Sequence, residues 1–305
     1  MIDRNKKAAR VGIRRKEAVA GYVFILPFII GFLSFTILPI AASLLLSFTR
    51  YDVLSPPVFS GLSNYQEMLS DPLFWKSLGV TFCYTFISVP LKLFIALLIA
   101  MLFVRSTKLS YFYRAVYYLP SIIGGSVAVA VLWKNIFSID GVINSTLRQF
   151  GLNVQIAWLG QTNTALLVLI LLAVWQFGSP MLIFLSALKQ IPASLYESAQ
   201  VDGAGKFRIF WKITLPMLSP VIFFNLIMQM INGFLAFTQC FIITEGKPMD
   251  TTLFYTVYMY RRSFTFYQMG YGSAMAWVML LLVAVMTVLI FKTSDRWVYY
   301  ESKGA

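Results

Sequence analysis

Histidine is absent from this chain, and cysteine occurs only twice, at Cys83 and Cys240, each inside an apolar run. A zinc site, histidine-based acid–base catalysis and a disulfide framework therefore lack their ingredients. Charge is scarce as well: 12% of residues are Asp, Glu, Lys or Arg, against about 25% in an ordinary soluble domain. Acidic residues are the scarcer half, 12 against 25 Lys and Arg. No G-x-x-x-x-G-K-[ST] occurs anywhere, so the chain lacks the usual loop for cradling a nucleoside triphosphate.

What is present is apolar. Of 305 residues, 59% are hydrophobic and the mean hydropathy is +0.74, the composition of an integral membrane protein. Six runs are long enough to span: 21–48, 78–104, 115–137, 165–185, 221–244 and 271–291. The reading is an all-α membrane protein of six transmembrane helices, one membrane domain over 21–291, between a basic tail (1–20) and a polar C-terminal tail (292–305). The apolar part of a cleavable signal is only about 7 to 15 residues, so the run from Gly21 to Phe48 is expected to stay as the first span. Pro27 and Pro39 are expected to kink it. The loop 138–163 is expected to hold a short amphipathic piece.

The formal charge of +13 invites nucleic acid as a partner, but its distribution argues otherwise. The tails, the 105–114 turn and the loop between the fourth and fifth spans hold 17 of the 25 Lys and Arg. The three loops on the other side hold six, and Lys92 and Lys134 fall within spans. By the positive-inside rule the richer side is cytoplasmic, with both termini on it. The charge is thus an orientation signal, and the lipid bilayer, not nucleic acid, is the partner it indicates.

Between the fourth and fifth spans lies a polar segment with its own folding signals, 191–216. Ser194 and Glu197 stand in the S-x-x-E relation of a capping box, and Pro192 suits a helix entrance. Gly203 is expected to close this helix in the left-handed conformation. A second piece follows with Phe207, Phe210, Trp211 and Thr214 on one side, and Pro216 and Pro220 are expected to separate it from the next span.

Glu197, Ala199, Asp202, Gly203, Ala204 and Gly205, then Ile213, Leu215 and Pro216, follow the order E-x-A-x-x-D-G-A-G and I-x-L-P. This resembles the cytoplasmic coupling loop of binding-protein-dependent ABC importers, most of all the carbohydrate-type permeases of the maltose and glycerol-phosphate group. Ser198 replaces the alanine usual after the glutamate. The likeness runs from the first span to the sixth, without the long inserted outer domain of the larger maltose permease subunit. It implies a carbohydrate substrate, a second permease subunit, two ABC ATPase subunits and an extracytoplasmic solute-binding protein, in a bacterial-type cytoplasmic membrane. It also implies no cofactor on this subunit, ATP and Mg2+ being bound by the ATPases. Glu197, Ser198, Ala199, Asp202, Gly203, Ala204 and Gly205 would then form the ATPase-coupling surface.

A transporter's substrate site lies near the bilayer midplane, among broken helices and inward polar groups. The fourth span offers Trp175, Gln176, Gly178 and Ser179, interrupted by Pro180. The fifth offers Asn225, Gln229 and Asn232 at i, i+4, i+7, with Gln239 further on. Amides with an aromatic plane suit a sugar, whose hydroxyls donate and accept and whose C–H face stacks on a ring. The competing reading is that such amides hold helices together. Lys92, just after Pro90 in the second span, costs at least about 2.5 kcal/mol there unless paired or hydrated. It reads either as a contact to an anionic sugar or as a pair with a partner subunit or water. An ion-coupled carrier would need no coupling loop, and a membrane-embedded enzyme would need catalytic groups, whereas these spans contain no His, Asp or Glu.

Overall fold

The computed structural model describes residues 20–104, 108–152 and 155–299. The expected basic tail up to residue 19, residues 105–107 of the basic turn and the last residues from 300 lie outside the described residues. The chain is mostly helical. Four helices are long and apolar enough to cross a membrane, and six segments qualify if two bent pairs each count as one span. The chain divides into two units: one runs up to Glu67 and adds Arg262–Trp277, and the other comprises Met68–Arg261 and the chain from Val278.

In the first unit, α1 (Ala20–Ser47) contains a π-helical stretch, Leu33–Ile37, just before Pro39. A proline has no N–H for the carbonyl four residues back, here Phe35, and a π turn absorbs that defect. A two-stranded antiparallel hairpin follows, β1 (Thr49–Arg50) with β2 (Val58–Phe59), then α2 (Ser63–Ser70). Buried Asn64 ties these pieces together, its amide donating to the carbonyls of Ser47 and Thr49 at 2.8 and 2.9 Å. Arg262 pairs with Glu67 at 3.6 Å, donates to Gln268 and lies 4.3 Å above the Tyr271 ring.

The second unit is built around α3 (Pro72–Leu102). It starts six residues before the apolar run because Asp71 caps it, accepting from the Leu73 N–H at 2.9 Å, with Pro72 in the first turn. One face of α3 is lined by buried hydroxyls, Ser77, Thr81, Thr85 and Ser88. Thr81 accepts from the Tyr255 N–H at 2.8 Å, which fixes the start of α12 (Tyr255–Tyr260), and Tyr258 donates to Asp71. Against α3 pack α7 (Thr162–Trp175), α8 (Gly178–Leu188) and α10 (206–234). The α10 contact is close: a Cβ on Gly233 would meet Thr85 Cγ2 at 2.7 Å.

The third expected span is a bent pair, α4 (Lys108–Ile123) and α5 (Val127–Ile136), meeting at 101°. Gly124 and Gly125 interrupt the helix, and Ser126 restarts it by capping Val129 at 3.3 Å. Helix α4 also covers most of what reads as a loop from 105 to 114. The expected amphipathic piece of the next loop is α6 (Val142–Gln149), anchored by buried Asn144, which bonds Ile139, Ile156 and Trp158. The fourth span is α7 and α8, bent by 40°.

The segment 191–216 departs from expectation at its start and at its end. Helix α9 (Ala193–Val201) has Pro192 at its N-cap and no side-chain cap. The extended ψ of 131° at Pro192 starts the helix early enough to place Ser194 inside the first turn, so the capping box does not form. The second piece is not a separate element. Lys206–Ile209, a π stretch Phe210–Thr214 and Leu215–Phe234 form the continuous α10, which runs through Pro216 and Pro220. The π stretch accommodates Pro216, and the Pro216 carbonyl, which Pro220 cannot serve, accepts from the Ser219 hydroxyl at 2.6 Å. A short α11 (Thr238–Ile243) and the long α13 (Met269–Ser294) complete the helices.

Candidate functional site

Polar groups from α3, α4, α8, α10 and α11 converge on a cavity of about 300 Å3 in the second unit. At about 30 Å3 per water this is room for roughly ten, well beyond a packing defect. Helix α3 contributes Tyr84, Ser88 and Lys92, spaced i, i+4, i+8 and hence on one face. Helix α10 contributes Gln229, Asn232 and the bare backbone of Gly233, and α11 contributes Gln239.

The break between α7 and α8 forms another part of the wall. The Ser121 hydroxyl donates to the Gln176 carbonyl and accepts from the Ser179 N–H, both at 2.9 Å, so one side chain serves both backbone groups freed by the break. Gly178 lets this corner form, since a Cβ there would collide with the Tyr117 carbonyl. Gly124 is likewise bare because the Gln176 side chain occupies the place of its Cβ. Gln176 donates to the Leu172 carbonyl at 3.2 Å and Gln239 to the Gly124 carbonyl at 3.3 Å. These two amides are held by the breaks they border. By contrast, Gln229, Asn232 and Lys92 make no side-chain hydrogen bond or ion pair among the described residues, and their polar heads are available to a ligand.

At the other end of α10 stands α9, none of whose residues is buried. Glu197, Ser198, Asp202, Gly203 and Gly205 are exposed, with Ala199 and Ala204 half-buried. Gly203 closes the helix with φ +75°, the Ala204 N–H reaching the Ala199 carbonyl and the Gly203 N–H that of Gln200. This pair of bonds is the Schellman arrangement, and it satisfies carbonyls that a helix end leaves free. The Tyr196 and Thr214 hydroxyls meet at 3.2 Å, tying α9 to the π stretch of α10. Glu197 makes no ion pair among the described residues.

The sequence profile of the family described as binding-protein-dependent transport system inner membrane component matches residues 72–298. The chain belongs to that family. It is 55% identical over 292 residues to a probable ABC transporter permease protein of Bacillus subtilis, YesP, covering 95% of this chain and 94% of that protein. It is 33% identical over 291 residues to the lactose transport system permease protein LacF of Rhizobium radiobacter, covering 93% and 96%. A chain of a bacterial ABC transporter involved in the import of the acidic polysaccharide alginate superposes with a TM-score of 0.79 at 24% identity, over 94% of this chain and 99% of that one, which shows a common fold. The protein is thus an ABC transporter permease and a multi-pass membrane protein.

In this permease, Lys92, Gln176, Ser179, Gln229, Asn232 and Gln239 share the cavity wall, while Trp175 and Asn225 lie off it. Trp175 packs on Trp133 with ring centroids 5.4 Å apart. Asn225 is buried and donates to the Val221 carbonyl of its own helix at 3.1 Å, a packing role. The aromatic plane on the wall is Tyr84 instead. Tyr84 and Ser88 were not singled out from the sequence, though standing eight and four residues before Lys92 puts them on its helix face; nothing in the sequence marks Ser121. Among the described residues no group of three His, Cys, Asp or Glu side chains is placed to hold a metal. Outside the cavity, Arg262 is committed to Glu67, Gln268 and Tyr271.

Proposed function

We propose that this permease is one of two membrane subunits of an ATP-driven importer that accepts a carbohydrate from an extracytoplasmic binding protein and releases it into the cytoplasm by alternating access. It would have six spans with both termini cytoplasmic, in a bacterial-type cytoplasmic membrane. Hydrolysis of ATP with Mg2+ belongs to two separate ATPase subunits, whose clefts receive α9. Glu197 pairs there with a basic group, and the residues from Ser198 to Gly205 supply the rest of the contact.

The observation that carries this reading is that α10 joins both ends of the machine. Gln229 and Asn232 face the cavity from the same continuous helix whose π stretch holds Tyr196 of α9 through Thr214. At about 1.5 Å per residue, Thr214 and Gln229 are some 22 Å apart along one rod. A displacement of α9 by closing ATPases therefore reaches the cavity without an intervening loop. Free amides, hydroxyls and the Tyr84 ring are the groups that recognise sugar hydroxyls and C–H faces. The sugar-transport relatives support the choice of carbohydrate.

The test is purification of the chain from detergent-solubilised native membrane, wild type beside Glu197→Lys, with co-purifying proteins identified by mass. An ATPase and a second permease should accompany the wild type, and the mutant should lose the ATPase. A chain that emerges alone or as a homodimer would make an ion-coupled carrier the better reading.

A further inference from the structure

Lys92 lies deep in α3, twenty residues after Pro72 and ten before Leu102, so about 15 Å separate it from the nearer helix end. A lysine so placed must find water or a counter-charge. The other lysine in a span, Lys134, is accounted for by the Ile242 carbonyl at 3.3 Å. Lys92 has no such partner among the described residues, and its side chain lines the cavity. The cavity wall carries no carboxylate: its remaining polar side chains are amides, seryl hydroxyls and the phenol of Tyr84. The membrane-crossing helices contain no Asp or Glu either, so none of them can bring a counter-ion to it. The site is therefore a neutral hydrogen-bonding shell around one uncompensated cation.

From this we infer that the cavity selects an anionic carbohydrate, with Lys92 pairing the acidic group, a uronate carboxylate or its equivalent, while Gln229 and Asn232 hold the neighbouring hydroxyls. The inference rests on the carbohydrate reading above and sharpens it to acidic sugars. A fixed cation in a cavity walled by protein concentrates anions and discriminates against neutral analogues, because a neutral sugar that displaces the cavity water leaves the ammonium desolvated and unpaired. The isosteric neutral sugar is thus rejected by the cost of the lysine it fails to satisfy.

Charge in the cavity can be read without turnover. With Cys83 and Cys240 replaced, Ser88→Cys places a reporter thiol one helical turn from Lys92. Its rates with an anionic (sulfonatoethyl) and a cationic (trimethylammonioethyl) methanethiosulfonate are compared in membranes. The anionic-to-cationic ratio should exceed that of a free thiol in solution and fall about tenfold or more in Lys92→Gln, as expected for unit charges a few ångströms apart. Lys92→Arg should keep it. A ratio equal to the free thiol's, or unchanged in Lys92→Gln, overturns the inference. The comparison with the free thiol needs no substitution of Lys92, so a variant that fails to reach the membrane does not block the test.

Uptake by the whole importer then addresses the sugar. Galacturonate, glucuronate and mannuronate trisaccharides are compared with their carboxyl-reduced counterparts in vesicles. At least one acidic form should be preferred, about tenfold or more, with the preference lost in Lys92→Gln and retained in Lys92→Arg. Preference for the reduced sugars, persistence of the acidic preference in Lys92→Gln, or uptake of no probe sinks the substrate class. Because the labelling is independent of any ATPase, failure of the importer reading would show as a missing ATPase with the reagent ratio intact.

Discussion

The hydroxyl of Ser121 donates to the main-chain carbonyl of Gln176 at 2.9 Å, across the corner where α7 gives way to α8. The same oxygen accepts from Ser179, so a single side chain replaces the backbone bonds lost at the break. Removing it by Ser121→Ala leaves both groups without that partner inside the protein. We expect a loss of about 1 kcal/mol, the scale of one or two hydrogen bonds in a membrane protein, seen as a lower melting temperature of the detergent-purified complex. Uptake should fall with it. An unchanged melting temperature would mean that water serves the break equally well.

Gln229→Ala combined with Asn232→Ala should reduce uptake about tenfold or more, the loss of two ligand hydrogen bonds, while the complex still assembles. Asn225→Ala should do the opposite: its amide is turned to its own helix, so stability falls and the apparent affinity for sugar stays. Measured together, transport and melting temperature separate the two. Equal transport by the double variant would remove Gln229 and Asn232 from the pathway.

Position 203 adopts φ +75°, where an L side chain costs about 1–2 kcal/mol although open space surrounds it. Gly203→Leu should therefore disturb the end of α9 rather than the core. ATP hydrolysis by the assembled complex should persist and uptake decline, with Gly203→Asn closer to wild type because asparagine tolerates this conformation. Tight coupling in the leucine variant would show that the turn is not needed for transmission.

Gly233 and Thr85 mark a close approach of α10 to α3, and a Cβ on the glycine meets three atoms of the threonine at 2.7 to 3.3 Å. Gly233→Ala alone should destabilise the protein by about 1–3 kcal/mol through overpacking. Adding Thr85→Ala removes the two nearest atoms and should recover most of the loss. A double-mutant cycle on melting temperature reads the coupling directly. Additive effects would place the strain elsewhere.

Much of this architecture was legible because a membrane imposes simple rules. Apolar length marked the spans, and Gly203 marked the end of α9. What escaped was hydrogen-bond register. Pro39 and Pro216 read as kinks or separators, yet π stretches just upstream absorb both, and no residue type announces a π turn. Ser194 and Glu197 had the right spacing for a capping box, but spacing cannot say where Pro192 starts the helix. The Gly124–Gly125 pair, which turns the chain by 101°, has no periodic signature. At the cavity, the amide spacing puts Gln229 and Asn232 on the face of α10 that lines the wall, but spacing does not fix depth. Asn225 shares that face with Gln229 and Asn232, yet it sits one turn below the cavity, where it bonds to its own backbone.

The π stretch at Phe210–Thr214 has a consequence for the geometry of α10 as a whole. A π turn holds one residue more than an α turn, and each α-helical residue advances the direction of side chains by about 100°. The two ends of the helix are thus offset in angular phase by a single inserted residue. Deleting one residue from 210–214 and restoring a regular helix would leave Gln229 and Asn232 facing the cavity while turning Phe207 and the attachment of α9 more than a quarter turn around the axis. The register of one five-residue stretch, rather than any contact surface, sets where α9 stands around the α10 axis relative to the cavity.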